Sequence, residues 1–247
     1  AQGSFSLIKS WTDAIATLLM LGLPQVFLHL SFENRNLVPG LIRFAWKFSF
    51  LCTLFTIIIS TILANSGNLV FLIYPLLASS AYVLHGQFRA LLLRTGGILY
   101  YAIATSIPAL SLLTILILMV IYKNQNWGLA LTVSALISAL GAIVLIKHSG
   151  EKWKGETYAL PSNLWKTNSH GLVQNFAAAF QTALLLFLLK AAGAPATSLG
   201  ELALAMVFLQ VFGAVAGIVA PIIYQRAAIN DLRINSIMLA SVVFLTI

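Results

Sequence analysis

Six stretches of this chain, at residues 44–64, 68–88, 97–122, 127–147, 171–190 and 199–224, are almost free of charge and each is about as long as a bilayer is thick. A helix rises about 1.5 Å per residue, so roughly 20 apolar residues cross a hydrocarbon core of about 30 Å. The opening run from Ser4 to Ser31 makes a seventh, and an eighth begins near Ser236 and meets the end of the chain at Ile247. Runs such as "LLTILILMVIY" do not alternate polar and apolar residues, so they do not read as strands of a membrane barrel. Only 8% of the 247 residues are charged, against about 25% in a domain with a water-facing surface. The fold class is therefore all-α: a polytopic membrane helix bundle with about seven full transmembrane helices and a truncated eighth.

The formal net charge of +8 does not point to nucleic acid, because the basic residues are spread over short loops and form no continuous patch. Their order carries topology. Alternate loops hold Arg35, Arg43 and Lys47; Arg89 and Arg94; Lys147, Lys152, Lys154 and Lys166; then Arg226 and Arg233. The opposite side has only Lys9, Lys123 and Lys190. The positive-inside rule puts the rich side in the cytoplasm and residue 1 outside. An outside start with no helix before it predicts that at least one span precedes this sequence in the full protein.

Cys52 is the single cysteine and reads as a small apolar residue, with no disulfide or thiolate metal site to form. His29 and His85 are expected near cytoplasmic helix ends, and His148 and His170 near a linker, all in solvated roles. No metal, haem or other cofactor is expected. The five tryptophans, Trp11, Trp46, Trp127, Trp153 and Trp165, fall near span boundaries, as interfacial anchors do.

Shifting the chain by 197 residues lays Gly3 on Gly200, Phe5 on Leu202, Leu7 on Leu204, Pro24 on Pro221 and Asp13 on Gln210. In both copies a glycine opens a long helix, a proline follows 21 residues later, and the helix leaves into a polar cytoplasmic loop. Between them "KHSGEKWKGETYALPSNLWKTN" is the longest polar stretch. The organisation read from this is a first lobe at 1–147 lacking its first helix, a cytoplasmic linker at 148–168, and a truncated second lobe at 169–247. Transporters commonly arise from such inverted or otherwise pseudo-symmetric repeats, with the substrate path at the repeat interface.

With "LGLPQ" on a Gly-led helix, the "GELALA" entry and the "VAPIIYQRA" exit, the chain resembles the multidrug, oligosaccharidyl-lipid and polysaccharide exporter superfamily, and within it the bacterial O-antigen and polysaccharide flippases. The likeness covers nearly the whole chain, in soft patterns without a signature string. It implies translocation of undecaprenyl-pyrophosphate-linked oligosaccharide from the inner to the outer leaflet of the bacterial cytoplasmic membrane. Expected partners are the lipid-linked glycan, membrane lipids, a coupling proton or sodium ion, and polysaccharide-assembly membrane proteins.

Lys9 and Asp13 stand inside the first apolar run, and a charge at membrane depth costs roughly 2.5 to 3.5 kcal/mol on insertion scales. Spaced i and i+4, they can pair on one helix face, with Lys9 snorkelling outward. Alternatively they line the transport path, Lys9 attracting pyrophosphate and Asp13 exchanging a proton. In the 171–190 helix, Gly171, Gln174, Asn175, Ala178, Gln181 and Thr182 form a polar or small stripe, which reads either as interhelical glue or as a cavity wall. Under the resemblance that helix faces the central cavity with the Gln210 helix. The candidate path residues are thus Lys9, Asp13, Asn175, Gln181 and Gln210.

Gly213 and Gly217 form a GxxxG packing pattern, and Ser134, Ser138 and Gly141 read the same way. Pro24, Pro75, Pro108 and Pro221 bend a helix wherever they fall in its interior, and the repeat-related pair Pro24 and Pro221 are hinge candidates. An enzyme is disfavoured: the six acidic residues include no two within four positions, and no H-E-x-x-H motif occurs. The competing readings are a cation-coupled drug exporter of the same superfamily, a membrane-embedded glycosyltransferase or polymerase, and a structural membrane protein.

Overall fold

A computed structural model of the chain describes residues 2–67, 70–123 and 126–150, with short pieces between 184 and 202. All regular structure among these residues is helical. Six helices follow one another: α1 (Gln2–Met20), α2 (Leu23–Glu33), α3 (Val38–Ser66), α4 (Ile73–Thr95), α5 (Gly97–Ile121) and α6 (Trp127–His148). Short 3-10 turns at Arg35–Leu37 and Val70–Leu72 lead into α3 and α4. The expected linker at 148–168 and second lobe at 169–247 lie almost wholly outside the described residues, and with them the repeat partner of α1.

The opening run is two helices and not the single helix expected from Ser4 to Ser31. Leu21 and Gly22 take positive φ of 51° and 75°, which ends α1, and α2 restarts at 45° to it. Gly22 tolerates that backbone without strain, and Pro24 falls in the first turn of α2, where a missing N–H has no partner to lose. Among the described prolines only Pro108 lies in a helix interior; Pro75 sits in the first turn of α4. Asn126 caps α6, its Oδ1 accepting from the Leu129 N–H at 3.1 Å, and Lys147 and His148 in the last turn complement the helix dipole.

α4 is the hub. It packs on α1, α2, α3, α5 and α6, and most of its length is buried. α3 meets it along a seam of Leu41, Ala45, Ser49, Cys52, Thr56 and Ser60, spaced three and four apart. The outer face of α3 is the reverse, with Phe50, Leu51, Leu54, Phe55, Ile58 and Ile62 exposed. Small and hydroxylic residues inside with large apolar ones outside is the arrangement that suits a hydrocarbon solvent, where close backbone approach and hydrogen bonding hold helices together. In water such a continuous apolar surface would drive aggregation.

Three helical segments, Arg35–Ser66, Gly97–Ile121 and Trp127–His148, are long and apolar enough to cross a membrane, and the bent α1–α2 pair makes a fourth if it is one crossing. The described part is thus the bundle of a helical membrane protein. α4 is comparable in length but carries Ser79, Ser80, His85, Gln87, Arg89 and Arg94, and its neighbours shield it. It runs from 73 to 95, seven residues beyond the 68–88 span expected from hydropathy.

The α4 ends are fixed by aromatic contacts. At one end Trp46 packs edge-on to Phe88 with ring centroids 5.7 Å apart, and beside this pair Phe27 of α2 meets Phe44 of α3 at 6.0 Å. At the other, Gly128 of α6 lies so close to Tyr74 that a Cβ there would fall 2.5 Å from the ring.

Candidate functional site

Every fourth or third residue on one side of α1, namely Lys9, Asp13, Ala16 and Met20, faces an open cleft of about 700 Å³. α4 forms the floor with Tyr82, His85, Gly86 and Arg89, and α5 the far wall with Thr105, Pro108, Leu112, Leu113 and Leu116. α1 and α5 each pack on α4 and scarcely on each other, so the cleft is the space left between them. One wall and the floor are polar while the half of α5 after Pro108 is aliphatic, an amphiphilic lining.

Lys9 Nζ donates to Asp13 Oδ2 at 2.5 Å, the i,i+4 pair that the spacing allows. Their side chains remain 36% and 47% exposed, so the pair neutralises itself without being sealed away. Thr12 and Thr17 spend their hydroxyls on the Ile8 and Asp13 carbonyls of their own helix. With Arg89 also in the lining, the cleft holds two cations against one anion. Arg89 is held with its guanidinium 5.8 Å above the Tyr101 ring.

Tyr82 of α4 shares the cleft with Lys9 and Asp13. Behind the floor a polar network ties α5 to α6. Ser134 Oγ is 2.9 Å from Ser111 Oγ, and both hydroxyls are 3.2 Å from the Pro108 carbonyl. Ser134, expected only to let helices approach, is thus a cross-helix hydrogen-bonding residue; Ser138 donates back to its carbonyl at 2.7 Å.

His85 departs from its expected solvated place at a helix end. It is mid-helix in α4, only 5% exposed, and its Nε2 is 2.9 Å from the Ala104 carbonyl of α5. A carbonyl only accepts, so Nε2 is the protonated nitrogen. His29, by contrast, is exposed and lies 3.7 Å from Glu33 one turn on, as a surface residue of α2.

Of the five candidate path residues, Lys9 and Asp13 lie side by side in the cleft, while Asn175, Gln181 and Gln210 lie outside the described residues. So do Gly213, Gly217 and Pro221. Pro24 stands at the α1–α2 break, outside the cleft lining. Sequence reasoning missed Tyr82, His85 and Arg89, although their three- and four-residue spacing in an apolar segment is a polar stripe. From the sequence Pro108 announces a kink alone. Among the described residues no group of three or more His, Cys, Asp or Glu side chains is placed to hold a metal ion.

Comparisons with protein-family models, with curated proteins and with solved structures give no match. The class therefore rests on the molecule itself: a helical membrane bundle enclosing a charged, amphiphilic cleft between two of its helices.

Proposed function

We propose that this chain is part of a flippase that carries undecaprenyl-pyrophosphate-linked oligosaccharide across the bacterial cytoplasmic membrane by alternating access. The observation that supports this reading most is the cleft, which puts Lys9 and Arg89 beside an aliphatic wall of Leu112, Leu113 and Leu116. An anionic headgroup with a hydrocarbon tail matches both surfaces, and the excess of one positive charge favours a phosphate over a cation. Asp13, paired with Lys9, exchanges a proton or responds to a sodium ion as the headgroup arrives. In this reading α1–α2, α3, α4, α5 and α6 are five crossings of the first lobe. The linker at 148–168 is cytoplasmic, residue 1 is external, and Asn175, Gln181 and Gln210 of a second lobe face the cleft. Pro24 and Pro221 act as paired hinges. The protein makes and breaks no covalent bond.

In vesicles reconstituted with the full-length protein, fluorescent lipid-linked saccharide becomes accessible on the far leaflet, and Lys9→Ala or Asp13→Asn slows its appearance at unchanged protein content. Undiminished transport by both variants would remove the site assignment, and no transport by the parent would remove the substrate. Asp13 also favours a second reading, a cation-coupled drug exporter. Efflux of a lipophilic cation dependent on Asp13, without saccharide transport, would select it.

A further inference from the structure

α5 has one gap in its backbone ladder, and another helix fills it. Proline at 108 has no N–H, so the Ala104 carbonyl four residues earlier lacks its own helix's donor. A bare carbonyl at membrane depth is costly. His85 Nε2 meets that carbonyl at 2.9 Å, and both residues are buried. The pairing is specific to the gap, since any other α5 carbonyl in that stretch would have an amide of its own. One turn further along α5, the Pro108 carbonyl is approached at 3.2 Å by Ser134 Oγ of α6 as well as by Ser111 Oγ. α5 is therefore held at Pro108 from two directions, by α4 and by α6.

We propose that His85 is a positioning residue that closes the proline gap and thereby sets the direction in which the half of α5 after Pro108 leaves the joint. That half carries Leu112, Leu113 and Leu116, the aliphatic wall of the cleft, while Thr105 lines the cleft from the half before it. With the gap closed, the wall stands at a fixed distance from Lys9 and Asp13. With the His85 bond broken, the Ala104 carbonyl turns to water in the cleft and the half after Pro108 swings about it. The inference stands whatever molecule the cleft accepts.

The test is a rescue by restoring the amide. In the full-length protein, His85→Phe lowers the unfolding temperature by roughly 5 °C, as for a buried acceptor left unsatisfied. Pro108→Ala supplies Ala104 with a donor from its own helix, so in that background His85→Phe loses most of its effect. An equal loss in both backgrounds would show that His85 merely glues α4 to α5 and would overturn the proposal. If His85→Phe alone does not fold, recovery of folded protein by adding Pro108→Ala is the expected result. Failure of that double variant while Pro108→Ala folds overturns it.

A second reading uses spin labels in a Cys52→Ala background, at positions 66 and 120 on the outer ends of α3 and α5. A control pair at 47 and 98 reports the inner ends. His85→Phe broadens the 66–120 distance distribution and leaves 47–98 unchanged, whereas Pro108→Ala narrows 66–120. A 66–120 distribution identical in all three proteins refutes a joint at Pro108.

Discussion

Ser111 on α5 and Ser134 on α6 are joined hydroxyl to hydroxyl at 2.9 Å, and each also sits 3.2 Å from the Pro108 carbonyl. Two protons serve three short contacts, so at most two of the three are hydrogen bonds at any instant, with one hydroxyl on the carbonyl and the other on either partner. Ser134→Ala removes the member that belongs to α6, and Ser111→Ala leaves Ser134 on the carbonyl. The first is expected to cost about 0.6 to 1.7 kcal/mol, the range for hydrogen bonds between membrane helices, and the second less. Reversible unfolding in mixed micelles measures both.

The close approach of α4 and α6 at Gly128 makes a sharper steric prediction. A methyl group there meets the Tyr74 ring at 2.5 Å and its Cβ at 2.7 Å. The ring cannot retreat without losing the bond from Asn126 Nδ2 to its hydroxyl at 3.0 Å, and Asn126 also caps α6. Gly128→Ala therefore destabilises the bundle by about 1 to 3 kcal/mol. Gly86→Ala is milder, because the added methyl touches only the end of Met20, a side chain that can swing aside. Melting curves of the two variants should differ in that order.

Removal of one half of the Lys9–Asp13 pair differs from removal of both. Lys9→Met leaves the Asp13 carboxyl at membrane depth without its ion-pair partner, whereas Lys9→Met with Asp13→Leu leaves two apolar side chains. The double variant is expected to be more stable than the single one and still inactive in vesicle transport. If activity instead followed stability across the set, the pair would serve the fold alone.

The cleft should be wet. With Cys52 replaced by alanine, thiols introduced at Thr17 and Thr105 in the cleft are expected to react with a water-soluble maleimide. A thiol at Ile58, on the exposed apolar face of α3, should react far more slowly in a bilayer. Equal slow labelling at all three would show that the cleft is filled by lipid or protein.

The strongly apolar helices were legible because their signal is local. α5 and α6 begin and end within a residue of the expected spans at 97–122 and 127–147. α3 starts six residues earlier than 44–64, since its first turns carry Arg43 and begin at Val38–Pro39, where hydropathy falls but helical geometry does not. The break in the first run is not legible because Leu21 and Gly22, whose left-handed backbone ends α1, sit in an apolar run with no fall in hydropathy. The helical spacing of Lys9 and Asp13 gave their ion pair, but not what stood opposite. That depends on α4 and α5 meeting across 19 residues of chain, as His85 and Ala104 do, and periodicity within one helix carries no information about a partner. A proline in a helix interior does carry some, since it announces an acceptor that some other group must satisfy.

The central position of α4 has a consequence for how the protein is made. Two of the helices that shelter it, α5 and α6, are synthesised after it, and alone it would present Gln87, Arg89 and Arg94 to acyl chains. A ribosome-bound intermediate ending near residue 96 would leave α4 in the insertion machinery, released sideways into lipid only once the next hairpin has emerged to enclose it. Assembly of the bundle and entry into the bilayer would then be, for this helix, one event.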